Sequence, residues 1–274
     1  MTEKTRVLIV TQEMDPYLNL SDISQVTSKL PKHLYDKGMD IRILMPKFGN
    51  INERRHRLHE VVRLSGMNII MDEEDYPLII KVASLPNARL QVYFLDNEDF
   101  FKRKSVFEDE NQNFYEDNGD RMVFFCKGVL DTVKKFGWGP DIIHCHGWMT
   151  SLIPFYLKTA YKNEPIFSKA KVVFSLYENA FTKPLTDKLP ELAAVHGQLD
   201  ISDLKTLKDV DNTTLNLTAI QYSDALITSS KTIDKRVGEL IGKKRQMPVL
   251  EHVEDDSFLE KYQDFYLTLL ENQL

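Results

Sequence analysis

The chain has 274 residues, 42% of them hydrophobic, which is enough to bury a full core as one large domain or two small ones. Its 41 acidic and 35 basic side chains give a net charge of -6, which offers no general attraction to nucleic acid or anionic lipid. Cys126 and Cys145 form no Cys-x-x-Cys pair, and the apolar run near the N-terminus is too short for a signal peptide or a membrane span. We therefore expect a cytoplasmic protein with no nucleic-acid or membrane partner, no cofactor and no metal.

The first forty residues have the pattern of a strand, a helix and a second strand. Arg6–Thr11 is a short β-branched apolar run, typical of a parallel strand buried on both faces. Ser21 and Asp22 can cap a helix whose apolar residues recur at helical spacing until Gly38. A second apolar run, 40–45, ends at a proline. This order predicts a βαβ unit, which places the two strands parallel.

The next segment, 58–96, changes to shorter alternating pieces separated by acidic and proline-containing turns. Alternation over short runs predicts antiparallel strands, so we expect a β-hairpin-rich insertion that returns to the sheet. Residues 100–118 mix aromatic and polar residues without a sustained period, which predicts a loop with about one helical turn.

Helical and strand patterns alternate through the rest of the chain. The apolar periodicity predicts a helix over 120–136 and another over 152–161, and apolar runs predict strands at 141–146, 171–177 and 225–230. The fold class is therefore α/β, a doubly wound and mostly parallel sheet. In such sheets functional residues lie on loops at the carboxyl ends of the strands.

The last segment, Phe258 to Leu274, places its aromatic and leucine residues on one face of an amphipathic helix. That face needs a cover, which is either the preceding domain or a protein partner. We expect a domain over residues 1–254 and a terminal helix over 255–274. The sequence leaves the oligomeric state open.

Three strand-end segments resemble motifs of the bacterial glycogen and starch synthases, glycosyltransferase family 5. Gln12-Glu-Met-Asp-Pro16 and the helix after it resemble the family's Ser-Glu-x-x-Pro turn, Lys-Thr-Gly-Gly-Leu loop and Leu-Pro helix. The segment 139–150, with His-Cys-His-Gly-Trp-Met, resembles Pro-Asp-Val-Val-His-x-His-Asp-Trp-His and is the most specific match. The segment 222–231 resembles the Ala-Asp-x-Ile-Thr-x-Val-Ser strand. The similarity covers residues 6 to about 230.

Membership of this family would imply the GT-B architecture, in which two Rossmann-like domains face a cleft where ADP-glucose donates glucose to an α-1,4-glucan. The chain corresponds to the first of these domains. The resemblance places most nucleotide-sugar contacts and an acidic Glu motif in the second domain, and this chain ends where a linker to it would begin, near Glu254. On this expectation half of the cleft is missing.

Several motif residues of the family are replaced in this chain. In the family, the loop lysine meets the donor phosphates and the loop glycines let the backbone approach them. Asn19 stands at the position of the lysine, and Ser21 and Asp22 stand at the glycines. Asp22 would bring a negative charge toward a diphosphate, which is the wrong sign for donor binding. The expected consequence is a loss of donor binding in the family's manner.

Sugar-binding polarity is altered at three further places. Gly147 replaces the aspartate of His-Asp-Trp-His, Met149 replaces its last histidine, and Tyr177 replaces the histidine expected after the strand 171–176. No catalytic residue can be assigned from what remains. The candidate cleft residues are Glu13, Asn19, Ser21, Asp22, His144, His146, Gly147, Trp148, Tyr177, Glu178, Asn179, Ser229, Ser230 and Lys231.

Each candidate also has a structural interpretation. His144 and His146 lie two apart on a strand, so both point to the same side, where they would bind a sugar hydroxyl or hydrogen-bond neighbouring loops; no third metal ligand accompanies them. Trp148 would stack on a sugar ring or belong to the core. Glu178 would serve as a general acid or base, or lie in solvent.

We therefore expect a protein of glycogen or starch metabolism that is catalytically inactive alone, a pseudoenzyme. Two alternatives stay open. One is the acceptor-side subunit of a split, active ADP-glucose-dependent glucosyltransferase, which requires a partner chain with the second domain. The other is a non-catalytic α-glucan-binding or regulatory protein, which requires a sugar-sized cleft at Trp148 and Tyr177.

Overall fold

The computed structural model describes residues 4–86 and 88–271. Most strands are short apolar runs buried on both faces, as expected for a parallel sheet covered by helices. The strands are β1 (Arg6–Thr11), β2 (Asp40–Pro46), β3 (His59–Glu60), β4 (Met67–Met71), β5 (Glu74–Ser84), β6 (Gln91–Asp96), β7 (Ile142–His146), β8 (Lys171–Leu176), β9 (Ala225–Thr228) and β10 (Val249–Leu250).

The central sheet has the order β10-β9-β8-β7-β1-β2-β6-β5-β3, and neighbouring strands from β10 to β6 pair in parallel. From β1 the chain first builds one side of the sheet through β2 and β6, then returns to β7 and builds the other. The direction of growth therefore reverses between β1 and β7. A crevice outside the carboxyl ends of strands is the usual ligand site at such a reversal.

The expected hairpin-rich insertion is present between β2 and β6. Strand β5 pairs antiparallel with β6, β4 and β3, and β6 returns the chain to the parallel sheet beside β2. With this insertion the fold is the expected α/β, doubly wound and mostly parallel sheet.

Helices cover both faces of the sheet and begin at polar capping residues in several cases. Ser21 and Asp211, for example, accept hydrogen bonds from backbone N–H groups of the helices they precede, which satisfies donors left free in a first turn. The helices are α1 (Asp22–Asp36), α2 (Glu53–His56), α3 (Glu98–Phe101), α4 (Asn118–Phe136), α5 (Leu152–Lys158), α6 (Leu189–Ala193), α7 (Asn212–Tyr222), α8 (Lys235–Lys243) and α9 (Phe258–Glu271). None of the helices in the described ranges is long and apolar enough to cross a membrane.

The segment 100–118 is irregular after the single turn of α3, in agreement with the sequence pattern. Arg121 of α4 holds this segment by hydrogen bonds. Its guanidinium donates to the carbonyl oxygens of Phe100 and Val106 and to the side chain of Asn118. Arg121 is fully buried, and burial lowers its pKa to about 10. A buried cation that bonds two carbonyls and an amide therefore fixes the conformation of this loop.

The terminal helix α9 lies beside α1. Tyr262, Tyr266 and Leu269 are buried on its inner face. Lys29 and His33 of α1 reach polar groups of Asp256 and Gln263, at 2.8 and 3.0 Å. The apolar face of the helix is thus covered within this chain, whereas residues 272–274 of the segment predicted as helical lie outside the described residues.

Candidate functional site

A cavity of about 350 Å³ opens at the carboxyl ends of β1, β7 and β8, at the reversal point of the sheet. Its walls come from the loop after β1, the start of α1, the turn after β7, the loop after β8 and one face of α7. The lining residues are Gln12, Glu13, Leu20, Ser21, Asp22, Ile23, Phe107, Gly147, Trp148, Phe174, Ser175, Tyr177, Glu178, Asn179, Ala180, Asn212, Asn216 and Ser230.

Glu13 holds the loop that leads into α1. One carboxylate oxygen accepts from the backbone N–H groups of Leu20 and Ser21, at 2.6 and 2.9 Å, and the other accepts from the Ser21 hydroxyl at 2.6 Å. Glu13 is fully buried, and its two backbone donors lie at the N-cap residue Ser21 of α1 and at the residue before it. The carboxylate therefore fixes the entry of the chain into α1.

The charged side chains that line the cavity, within the described part of the chain, are all carboxylates: Glu13, Asp22 and Glu178. No lysine or arginine of the described ranges stands among the lining residues. Negative potential from three carboxylates repels a diphosphate and does not repel a neutral sugar. The cavity is thus electrostatically suited to an uncharged polar ligand.

The loop after β8 is fixed to α7 by amide side chains. Asn212 accepts from the backbone N–H of Ala180 at 2.7 Å, and Asn216 donates to the Asn179 side chain at 3.2 Å. Asn179 in turn donates to the Thr213 hydroxyl at 2.7 Å. These amides present both donors and acceptors at one side of the cavity, which is the chemistry that hydroxyl groups require.

Trp148 belongs to an aromatic cluster. Its ring lies 5.0 Å from the ring of Phe107, 6.1 Å from that of Phe114 and 5.1 Å from that of Phe181. The side chain is 4% exposed, and its indole N–H is buried without a hydrogen-bond partner. The ring faces are therefore taken by phenylalanines, as in a core residue, and the free polar atom is the indole nitrogen.

His144 and His146 lie behind the cavity in a buried network. The two rings are joined by a hydrogen bond of 3.1 Å, as their shared side of β7 predicts, and Tyr177 bonds the other nitrogen of His146 at 2.9 Å. His144 also contacts the Tyr266 hydroxyl and bonds Ser175 at 2.8 Å. All four ring nitrogens are engaged by protein groups, which leaves none directed at a metal.

Burial sets the protonation of this network. Desolvation lowers the pKa of His144 well below its ordinary value, with a further contribution from His146, and lowers the pKa of His146 to about 3. Desolvation also raises the pKa of Tyr177 well above its ordinary range. The histidines are neutral at physiological pH, so they act as fixed donors and acceptors that connect Tyr177 to helix α9.

The structure divides the candidate residues into two groups. Those that line the cavity are Glu13, Ser21, Asp22, Gly147, Trp148, Tyr177, Glu178, Asn179 and Ser230. The others lie outside it: Asn19 accepts from Ser24, Ser229 joins the buried network through Ser175 and Tyr262, and Lys231 pairs with Glu254 at the surface.

Sequence reasoning missed several lining residues. Asn212 and Asn216 are four apart in a helical segment, so both lie on one face of α7, and this spacing was a usable signal. Gln12 stands one residue before Glu13 at the end of β1 and was within reach of the same argument. Phe107 comes from the irregular segment 100–118, where no periodicity indicates which side chain turns inward.

The fold and the site define a class. A doubly wound sheet with a hairpin-rich insertion, whose ligand-sized crevice opens at the β1/β7 reversal, is a Rossmann-like domain, a class in which ligands usually bind at the strand ends. Comparison with known proteins then gives the family. Residues 6–248 match the family model described as the starch synthase catalytic domain. The chain belongs to this family of glycogen and starch synthases.

Relatives and a solved structure agree with this assignment. The chain is 35% identical over 242 residues to a glycogen synthase of Pelodictyon phaeoclathratiforme, covering 85% of this chain and 47% of the relative. It is 37% identical over 233 residues to that of Chlorobium luteolum, covering 82% and 46%. The chain thus spans about half the length of the curated relatives it matches.

The fold is similar to the catalytic domain of starch synthase IV from Arabidopsis thaliana, a structure bound to ADP and acarbose. The TM-score is 0.75 at 19% identity, over 92% of this chain and 52% of that one. This likeness confirms the fold class, and the family match confirms the resemblance inferred from the strand-end motifs.

Proposed function

We propose that this chain is a glycogen-synthase-like protein of α-glucan metabolism that binds glucan at the strand-end cavity and, by itself, does not transfer glucose from ADP-glucose. The observation that carries the proposal is the charge of the cavity lining, where Glu13, Asp22 and Glu178 are carboxylates. Glu13 also stands in the family's Ser-Glu-x-x-Pro turn, so the change in charge comes from Asp22, at the position of a family glycine, and from the loss of the family's lysine at Asn19. Carboxylates without a cation repel the diphosphate of the donor.

The hydrogen bonding of Asn19 supports the same conclusion. Asn19, at the position of the family's lysine, directs its side-chain oxygen to the Ser24 hydroxyl at 3.0 Å. Among the described residues, no lysine or arginine lines the cavity, so a diphosphate would meet carboxylates with no cation to offset them. The cavity therefore does not have the charges with which the family would bind the donor phosphates.

A neutral glucan fits the lining better. The volume of about 350 Å³ lies in the range of small-ligand sites, and aromatic and amide groups line it together. Asn179 and Asn216 supply amide groups, while Phe107 and Trp148 supply an apolar wall with an unpartnered indole N–H. Sugars present hydroxyls at their edges and C–H groups on their faces, which match these two kinds of surface.

The test is calorimetric titration of the purified protein with maltoheptaose and, separately, with ADP-glucose, followed by a glucosyl-transfer assay. We expect saturable binding of the oligosaccharide, no binding of ADP-glucose and no chain extension. Asn216→Leu should weaken maltoheptaose binding about tenfold, because it removes amide groups without changing the charge. Asn163→Leu, an exposed change outside this cavity, is the matched control.

Two results would contradict the proposal, and a third would favour the split-enzyme alternative. Binding of ADP-glucose with glucan extension by this chain alone would show a complete glucosyltransferase. Extension that appears only after a nucleotide-sugar-binding domain from a related synthase is added would support the split-enzyme alternative. The absence of binding to both maltoheptaose and ADP-glucose would also reject glucan binding at this cavity.

A further inference from the structure

A larger cavity, of about 630 Å³, lies away from the strand-end cavity, between β4, α4 and the segment 191–202. Its apolar wall includes Ile69, Val195 and Leu199, and two isoleucines at its rim, Ile70 and Ile201, are 59% and 50% exposed. Large aliphatic side chains exposed beside a concave surface indicate a place where a ligand would remove apolar area from water. The volume is that of a small organic molecule.

Lys127 lies in the wall of this cavity, and its ammonium group has no N–H left to donate to an anionic ligand. Its ammonium donates to the carbonyl oxygens of Ile70, Leu192 and Ala194, at 2.9, 2.8 and 2.7 Å. An ammonium has three donors, so these three bonds use all of them. Burial lowers the pKa of Lys127 to about 8. The residue therefore ties the hairpin to α6 and its following turn.

The other ionisable groups of the lining are four carboxyl groups together with Tyr161 and His196. Asp131 lies one helical turn after Lys127, and Glu191, Asp72 and Asp200 complete a set of four carboxyl groups around the apolar wall. Asp131 accepts from the Tyr161 hydroxyl at 3.1 Å, and burial raises the pKa of this carboxyl group. One oxygen of Glu191 is buried without a hydrogen-bond partner. A buried carboxylate oxygen without a donor is stabilised by a cationic N–H group placed against it.

We infer that this cavity is a second ligand site, which binds an organic cation: an ammonium or guanidinium group carried on a compact apolar body. The cation lies against Glu191 and Asp131, and the apolar body lies against Ile69, Val195 and Leu199. This site is separate from the proposed glucan cavity, which none of these residues lines. The inference does not depend on the proposed function.

The experiment uses the full chain and a matched pair of probes, 4-phenylbutylammonium and 4-phenylbutanol, which share the apolar body and differ in charge. Binding is followed by NMR titration of the backbone amides. We expect saturable binding of the ammonium, with shifts at residues 68–72 and 191–202, and affinity for the alcohol lower by about tenfold. Added salt should weaken binding of the ammonium more than that of the alcohol.

Three variants make the inference falsifiable. Glu191→Gln keeps the side-chain shape and should weaken ammonium binding about fivefold to tenfold while leaving the weak binding of the alcohol unchanged. Ser202→Trp, a change at an exposed rim position, should block both probes by filling the cavity mouth. Glu239→Gln makes the same charge change on α8 and should leave both affinities as in the wild type.

Equal affinity for the two probes would overturn the assignment of a cation site, as would ammonium binding that Glu191→Gln leaves unchanged. Absence of saturable binding by either probe, with the wild-type fold verified by its amide spectrum, would reject the site altogether. Unfolding curves of the three variants separate a lost site from a lost fold.

Discussion

The side chain of Gln12, at the end of β1, occupies the space beside Gly147, at the end of β7. Gly147 has φ +85°, and a Cβ atom added there would lie 2.3 Å from the side-chain oxygen of Gln12. That oxygen instead accepts, at 3.4 Å, from the backbone N–H of Met149. Where the family motifs have serine and aspartate at these two positions, this chain has a large amide and no side chain. The two replacements are complementary, because the amide occupies the volume that the absent side chain leaves.

Gly147→Asp, which restores the family residue, should destabilise the protein instead of restoring a site. The new side chain meets Gln12, and a non-glycine residue at positive φ adds backbone strain, so we expect the free energy of unfolding to fall by about 2–4 kcal/mol. Urea unfolding measures it. The double variant Gln12→Ser/Gly147→Asp removes the clash but not the strain and should recover part of the loss. No recovery would contradict the pairing of the two positions.

The free energy of unfolding should decrease as pH falls, because the fold holds His144 and His146 in the neutral form. Their folded pKa values lie below the ordinary 6.5, so the unfolded chain takes up protons first. The stability that comes from burying neutral imidazole rings is fully present above pH 6.5. It is lost as pH falls from 6.5 toward the folded pKa values of the two histidines. Each histidine should remove about 2 kcal/mol from the free energy of unfolding between pH 6.5 and pH 5.

Urea unfolding at a series of pH values in the wild type, His144→Gln and His146→Gln measures this dependence. Each variant should have a shallower decline than the wild type below pH 6.5, even if it is less stable at pH 7. His59→Gln, which changes an exposed histidine on β3, serves as the control. A decline of equal slope in all four proteins would show that the buried pair does not govern acid sensitivity.

The charge of the loop before α1 should set the affinity of the cavity for nucleotide. Asn19→Lys together with Asp22→Gly changes the charge beside the cavity by two units in the favourable direction and restores two residues of the family's loop. We expect the affinity for ADP to rise about tenfold at low ionic strength and the gain to shrink with added salt. Equilibrium dialysis with labelled ADP measures it.

Glu178 would still face the cavity in that variant, so binding should remain weak. The control carries the same total charge change away from the cavity, as Asp36→Asn with Gln221→Lys, both at exposed positions. An equal gain in the control would show that net charge, and not the loop, attracts the nucleotide.

Lys127→Met should be strongly destabilising, because it leaves the carbonyl oxygens of Ile70, Leu192 and Ala194 without their donor. Buried acceptors that lose a charged partner cost about 1–3 kcal/mol each, so for three acceptors a loss of at least about 3 kcal/mol is expected. Urea unfolding measures it, and hydrogen exchange should quicken in β4 and α6. Lys162→Met, at an exposed position, should change stability little. A small effect of Lys127→Met would mean that the three carbonyls find water.

The parallel strands were predictable because a strand buried on both faces must be a short apolar run. Arg6–Thr11, 141–146 and 171–176 have this pattern and lie where it indicates. The two-residue strand β10 and helix α8 were not predicted. A two-residue strand is too short for periodicity, whereas Val237, Leu240 and Ile241 recur at helical spacing in α8, a signal that the prediction did not use.

The candidate site was predictable only in outline. Parallel strands end at one edge, so the sequence was sufficient to place Glu13, Gly147 and Tyr177 near one another. It did not show that Glu13 bonds the loop N–H groups or that phenylalanines cover Trp148. Such partners are distant in sequence, and their meeting depends on loop conformations that no local pattern encodes.

The order of apolar runs, helical periodicity and turns is local information, and by itself it determined the α/β class and the hairpin insertion of this protein. The family followed from the resemblance of three strand-end motifs to those of the glycogen and starch synthases. The tertiary structure alone decided which polar groups meet: Gln12 with Gly147, Glu13 with the loop before α1, and Lys127 with three carbonyls of two separate segments. The physical reason is that backbone preferences act between near neighbours. Hydrogen bonds, charge pairs and cavities depend on distances across the fold, which packing sets.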